Sequence, residues 1–170
     1  MSSILLPKYY HEMEGYNGRL DAIQAGVLSV KLRHLAEWTV RRREAAARYG
    51  ELLAEASVGE LAPFEPKWAK AAYHLYVVRV QDREGLMRHL GEADIGTGIH
   101  YPVPLHLQKA YQGLGYQEGD FPIAEESARE IVSLPMFPQL NAQRQERVVE
   151  ELLRFVHALS PMRARAVSSL

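Results

Sequence analysis

The longest hydrophobic pattern in the chain lies near its N-terminus and has helical spacing. From Arg19 to about Glu55, apolar residues recur at three- and four-residue steps and form one continuous stripe. This pattern predicts one long helix or two consecutive helices. Residues 1–18 lack the repeat and contain one proline and two glycines, so we expect them to be irregular.

Strands and helices alternate along the rest of the chain. The predicted strands are residues 71–80, 95–101 and 131–134, each rich in β-forming residues. The predicted helical segments are a helix capped by Asp82 and ending near Gly91, a turn at 105–112, a helix at 124–130 opened by Pro122, and a last helix from the cap Asn141 to about Leu159. This order predicts a small α/β fold in which a sheet of three or more strands carries helices on one face.

The long N-terminal helix has no obvious place in this α/β unit. We therefore expect residues 1–60 to form an N-terminal segment and connector helix that packs against another subunit or domain. Residues 61–160 are expected to form the small α/β domain, and residues 161–170 a frayed tail.

Composition excludes several classes of protein and site. The chain has 170 residues, of which 47% are apolar, and a net charge of −1, so no global attraction to nucleic acid or membrane is expected. The absence of cysteine excludes disulfides and thiolate metal sites. The N-terminal residues lack the features of a secretory signal and no long apolar run occurs, so a cytoplasmic protein is expected. The basic run at 41–44 is interpreted as a solvated helix face.

The segment IHYPVPLHLQ at 99–108 carries two histidines that admit three interpretations. His100 and His106 could bind a metal, but two ligands without a recognisable motif are weak support for zinc. Both rings could simply be hydrogen-bonded at a strand end. Alternatively, the two prolines stiffen a binding loop that presents His100, Tyr101 and His106 to sugar hydroxyls or phosphate oxygens. On spacing alone, these alternatives stay open.

A second candidate site lies where the first helix begins, in the segment EGYNGRLDAIQAG at 14–26. Asn17 is a plausible N-cap, which would be a purely structural role. However, Asn17, Arg19 and the free amides of a helix N-terminus would together make an anion site.

Sequence motifs for catalysis are otherwise lacking. The chain contains no nucleophile elbow, P-loop or dinucleotide-binding glycine motif. Glu125 and Glu126 are interpreted as solvated residues in the first turn of a helix. We assign no catalytic residue and no metal ligand.

Several segments, in order, resemble the DegT/StrS family of pyridoxal-phosphate-dependent sugar aminotransferases. They are KYYHEMEGYNGRLDAIQAGVLSVKL (8–32), R-x5-Y at Arg43 and Tyr49, YHLYVVRV (73–80), GIHYPVPLHLQKAY (98–111), GDFPIAEESAREIVSLPMFPQL (119–140) and the last helix with Val148. The resemblance covers residues 8 to about 157. The pairing of GYNGRLDAIQA with IHYPVPLH is its most specific feature.

The resemblance implies a fold-type-I enzyme, usually a homodimer, of which this chain looks like the C-terminal part. It implies that Asn17 reaches the cofactor phosphate of the neighbouring subunit, with Arg19 beside it. It places His100, Tyr101 and His106 near the nucleotide sugar, which favours the binding loop and sets the metal interpretation aside. The implied reaction moves an amino group, typically from glutamate, to a nucleotide-linked keto-sugar.

The chain departs from the family in one respect. The family's Schiff-base lysine precedes the segment that begins at Lys8, and that preceding region is missing here, so Lys8 is not assigned as catalytic. An aminotransferase needs this lysine to hold the cofactor and move the proton. We therefore expect the chain to be inactive alone. The alternative is a non-catalytic binding or regulatory module built on the same small domain.

Overall fold

The structure is a computed structural model that describes residues 9–16 and 18–167. Its N-terminal stripe forms two helices, α1 (Ala22–Leu32) and α2 (Leu35–Glu55), separated at Arg33–His34. The prediction of two consecutive helices is confirmed, but α1 begins three residues later than predicted. Asp21 is its N-cap, because the Asp21 carboxylate accepts a 2.8 Å hydrogen bond from the Gln24 amide.

The sheet is smaller than predicted. Strands β1 (Tyr76–Arg79) and β2 (Ile131–Leu134) pair antiparallel, with Tyr76 opposite Leu134 and Arg79 opposite Ile131. The predicted strand 71–80 is therefore reduced to its central residues.

The predicted strand 95–101 is wrong. Only an isolated bridge between Gly98 and Ser133 joins this segment to β2, through hydrogen bonds of 3.2 and 2.8 Å. Gly96 and Gly98 explain the difference, because glycine has a low strand propensity and offers no side chain to pack.

One face of the sheet packs against helices, as predicted. Tyr76, Val78, Val132 and Leu134 lie at alternate positions of the two strands and are at most 3% exposed. They join a core whose helical members come from α2, α3 (Arg83–Glu92) and α5 (Ala142–Val167). The fully buried helical leucines are Leu53, Leu86, Leu90 and Leu152, each worth roughly 1.5–3 kcal/mol of burial.

Local capping predictions for the other long helices hold. Asp82 accepts a hydrogen bond from the Gly85 amide and Asn141 from the Arg144 amide, both at 2.9 Å. Helix α4 (Pro122–Glu130) opens with the predicted proline and leads directly into β2. Helix α5 runs to Val167, so its predicted end at Leu159 is wrong. Short 3-10 turns lie at Gly59–Leu61, Leu105–Leu107 and Lys109–Leu114.

The basic run on α2 has a structural role that the sequence analysis missed. Arg42 donates hydrogen bonds of 3.1–3.3 Å to the carbonyl oxygens of Tyr73, His74 and Met136. Arg43 binds the Ala71 carbonyl and the Glu65 carboxylate. Both guanidinium groups therefore fasten connecting segments to α2 instead of forming a solvated face.

Candidate functional site

The predicted binding loop, residues 99–108, is anchored at its first histidine. His100 Nδ1 lies 2.9 Å from the hydroxyl oxygen of Ser133, a buried residue of β2. The peptide bond between His100 and Tyr101 is cis. Tyr101 itself is 60% exposed, and its ring meets the ring of Tyr9 edge-on at 5.5 Å.

The second histidine is anchored more deeply. His106 Nε2 lies 2.9 Å from a carboxylate oxygen of Glu125, with the two side chains 9% and 4% exposed. The His106 ring also packs against Phe121, with a centroid separation of 4.7 Å. His106 therefore joins the loop to the first turn of α4.

Glu125 was not expected to be buried, and the interpretation of it as a solvated residue is wrong. Its carboxylate accepts hydrogen bonds from the amides of Gly119, at 3.0 Å, and Phe121, at 3.2 Å, besides its contact with His106. Burial by itself raises the pKa of Glu125, but the hydrogen bonds from Gly119, His106 and Phe121 outweigh it and hold the pKa below its ordinary value. The adjacent Glu126 is exposed, as predicted, and pairs with Arg79.

A third connection fastens the N-terminal segment to the same loop. The buried Gln108 donates to the Tyr9 carbonyl at 2.8 Å and accepts from the His11 amide at 3.0 Å. The Ala110 amide donates to the His11 carbonyl at 3.0 Å. The structure therefore brings the segment that leads toward Arg19 against the loop that carries Tyr101.

The predicted anion site is only partly visible. Asn17 lies outside the described residues, and Arg19 is exposed. One of the α1 amides that were expected to be free is occupied, because the Gln24 amide donates to the Asp21 carboxylate. This carboxylate also brings a negative charge to the same end of the helix. The described residues therefore do not fit the phosphate of pyridoxal phosphate by themselves, and no chemical step can be derived through that cofactor.

An apolar groove near this region lies between α1 and α2. It has a volume of about 690 Å³ and is lined mainly by aliphatic and aromatic side chains, including Leu28, Leu32, Leu35 and Trp38. Such a lining suits another apolar surface better than a phosphate group.

Membrane-spanning helices and metal sites are both lacking in the part of the chain that the structure describes. Within these residues, no helix is long and apolar enough to cross a membrane. No group of three or more His, Asp or Glu side chains within them is arranged to hold a metal ion.

The family of this chain follows from the match of most of its residues to one known family. Residues 4–153 match the DegT/DnrJ/EryC1/StrS aminotransferase family. The chain belongs to this family. The predicted resemblance is thereby confirmed, and with it the expected fold class.

Individual DegT/DnrJ/EryC1/StrS relatives include transaminases that act on nucleotide sugars. The chain is 49% identical over 152 residues to a pleiotropic regulatory protein of Geobacillus stearothermophilus, covering 88% of this chain and 40% of that protein. It is 42% identical over 148 residues to the dTDP-3-amino-3,6-dideoxy-alpha-D-galactopyranose transaminase of Aneurinibacillus thermoaerophilus, covering 87% and 40%.

Two solved structures share the fold of this chain. S. venezuelae DesV, crystallised with a ketimine intermediate, matches with a TM-score of 0.72 at 39% identity, covering 87% of this chain and 40% of DesV. A DegT DnrJ EryC1 StrS aminotransferase from Brucella abortus matches with a TM-score of 0.69 at 34% identity, covering 88% and 39%. The chain thus spans about 40% of the length of the relatives it matches.

Proposed function

We propose that this chain forms the connector helix and small domain of a pyridoxal-phosphate-dependent aminotransferase acting on nucleotide-linked keto-sugars. The observation that carries the proposal is the family match over residues 4–153. Transaminases of dTDP- and UDP-linked sugars among the relatives favour this substrate class. We take residues 1–60 as the connecting part, residues 61–160 as the small domain and glutamate as the amino donor.

In this proposal, the loop that carries His100, Tyr101 and His106 lines the nucleotide-sugar site. The hydrogen bonds of both histidines to buried partners support a loop of fixed conformation, which loses little entropy on binding. Asn17 and Arg19 contribute to the cofactor phosphate only when a lysine-bearing large domain is present.

The polypeptide is proposed to be inactive without that lysine-bearing part. Its lysines are Lys8, Lys31, Lys67, Lys70 and Lys109. Mixing the chain with pyridoxal phosphate, reducing with borohydride and mapping the products tests this proposal. We expect no stoichiometric label at any one lysine, whereas a single labelled lysine together with transaminase turnover would refute it.

Adding a family large domain in trans or by fusion is expected to restore transfer of an amino group to a nucleotide-linked keto-sugar. In that protein, Arg19→Ala should weaken cofactor binding about ten- to a hundredfold, because a hydrogen bond to a charged group is worth roughly 1.5–3 kcal/mol. Asn17→Asp should do the same through repulsion of the phosphate. Arg33→Ala, at the opposite end of α1, is the matched control. Parent affinity in both site variants would exclude the proposed roles.

A non-catalytic regulatory module is the second candidate. The observation that favours it is the description of two relatives as a pleiotropic regulatory protein and a sensory transduction protein. If no large domain restores transamination, although the chain is folded and associated with it, the regulatory function is favoured.

We also propose that the protein self-associates through α1. This helix has no buried side chain, and its exposed apolar residues adjoin the groove between α1 and α2. Sedimentation at several concentrations should show association that Leu28→Lys weakens. A monomer at every concentration would contradict this proposal.

A further inference from the structure

Glu125 carries a charge that its backbone contacts do not require. The amides of Gly119 and Phe121 need only an acceptor, which a neutral glutamine would also supply. Burying a carboxylate costs free energy unless it is paired and hydrogen-bonded. The partner that gains from the charge is the His106 ring.

An ionised carboxylate accepts hydrogen bonds and cannot donate them. His106 Nε2, 2.9 Å from Glu125 Oε1, must therefore carry a hydrogen, whether the ring is neutral or protonated. Packing of the same ring against Phe121 restricts its rotation. Glu125 thus fixes both the protonation pattern and the orientation of His106.

The loop between the two histidines is anchored at both ends and exposed between them. Each end is held by a ring with a buried partner, Ser133 for His100 and Glu125 for His106. Between these anchors, Tyr101 is 60% and Leu105 74% exposed. The exposed side chains are the ones available to a ligand, while the histidines hold the loop.

We propose that Glu125 is a positioning residue for the nucleotide sugar, which holds His106 with hydrogen on Nε2 and thereby fixes the loop that presents Tyr101 to the ligand. This inference rests on the proposed function, because the ligand is the keto-sugar nucleotide proposed above. It assigns Glu125 no contact with the reacting atoms.

The first test needs no substrate. Long-range nitrogen-15 NMR of the 170-residue chain reports which imidazole nitrogen of His106 carries hydrogen. We expect hydrogen on Nε2 in the parent and a loss of this fixed pattern in Glu125→Met, whose side chain has no oxygen to accept from Nε2. Glu126→Met, one residue along the same helix and exposed, is the matched control and should leave His106 unchanged.

A bare Nε2 in the parent, or the parent pattern in Glu125→Met, overturns the proposal. If Glu125→Met does not fold, the parent spectrum decides, since it alone shows whether Nε2 carries hydrogen.

The second test uses the protein completed with a large domain. Glu125→Met should raise KM for the nucleotide sugar about ten- to a hundredfold, because displacement of a positioning group by about 1 Å has effects of this size. The half-reaction with the amino donor should stay at the parent rate, which a general loss of folding would not allow. Tyr101→Ala should raise the same KM.

The outcomes separate the two proposals. A changed His106 pattern with an unchanged KM overturns the positioning role and leaves the aminotransferase function intact. Absence of sugar transamination in the parent refutes the proposed function, and with it the ligand named here, whatever the NMR result.

Discussion

Helix α1 and the second half of α2 make opposite use of their apolar residues. Within α1, no side chain is buried, and Ile23 is 81% exposed. Within α2, Tyr49 and Leu53 are 0% exposed and lie in the core with the sheet and α5. The more apolar helix is thus the less buried one. The difference teaches that hydrophobic spacing identifies a side chain that needs a partner, but does not say whether that partner lies in the same chain.

The largest expected effect comes from shortening a buried side chain of α2. Leu53→Ala should lower the free energy of unfolding by about 2–5 kcal/mol, because it removes contacts and leaves a cavity in the core. Ile23→Ala in α1 should change it by less than about 0.5 kcal/mol. Denaturant unfolding at low protein concentration measures both. Comparable losses in the two variants would break the contrast between the helices.

Two neighbouring buried tyrosines differ in whether their hydroxyl groups are hydrogen-bonded. The rings of Tyr49 and Tyr76 lie 4.9 Å apart and are both buried, but only Tyr49 donates a hydrogen bond, 3.0 Å long, to the Pro135 carbonyl. The Tyr76 hydroxyl has no partner among the described residues, and burial raises its pKa to about 12.

Tyr49→Phe should therefore cost about 1–2 kcal/mol, because it removes a hydrogen bond to a partly buried carbonyl. Tyr76→Phe removes an unsatisfied hydroxyl and should be neutral or stabilising by about 1 kcal/mol. Thermal and denaturant unfolding of the single and double variants measure these effects and their coupling. Equal losses from both substitutions would show that hydrogen bonding does not distinguish them.

The helix caps offer a smaller version of the same comparison. Asn141→Ala should cost about 0.5–2 kcal/mol, because α5 holds Val148, Val149 and Leu152 in the core. Asp21→Ala removes an equivalent cap from α1, yet should leave global unfolding within about 0.5 kcal/mol of the parent. Its effect should appear as faster hydrogen exchange of the Gln24 amide. A global loss on Asp21→Ala would mean that α1 is part of the cooperative unit.

Glu125 should make the free energy of unfolding depend on pH in the acid range. Because the pKa of this carboxyl is lowered on folding, its contribution is present above the pKa of an unfolded glutamate, near 4.5, and is lost as the pH falls through the native value. Stability of Glu125→Gln should therefore fall less steeply below pH 4.5 than that of the parent. Glu126→Gln is the control, and identical acid slopes for the parent and Glu125→Gln would argue against a lowered pKa.

Features of the fold that depend on neighbouring residues were predictable from the sequence. The caps Asp82 and Asn141, the proline that opens α4 and the apolar face of α5 all act within one or two turns. The prediction of strand 95–101 is wrong because Gly96 and Gly98 interrupt its β-forming residues. Pro161 is a local stop signal two residues after Leu159, yet α5 continues through it to Val167.

Parts of the site that depend on distant pairing were not predictable. The buried Glu125 and the exposed Glu126 look alike in the sequence. They differ in the structure because Glu125 contacts His106, 19 residues away, and accepts from the amides of Gly119 and Phe121. Likewise, the carbonyl partners of Arg42 lie 31 to 94 residues away along the chain. No sequence pattern indicated the role of Gln108, whose two hydrogen bonds join the N-terminal segment to the loop. The proposed roles of Asn17, Arg19, His100, Tyr101 and His106 stay predictions.

The direct passage from α4 into β2 restricts how the length of the chain can vary. Glu130 ends the helix and Ile131 begins the strand, so no linker residue separates the two elements. An insertion at this point would shift β2 by one position and turn Val132 and Leu134 away from the core. The exposed residues 115–118 carry no such register. Natural or engineered length changes should therefore collect in that loop and be excluded at the helix–strand junction.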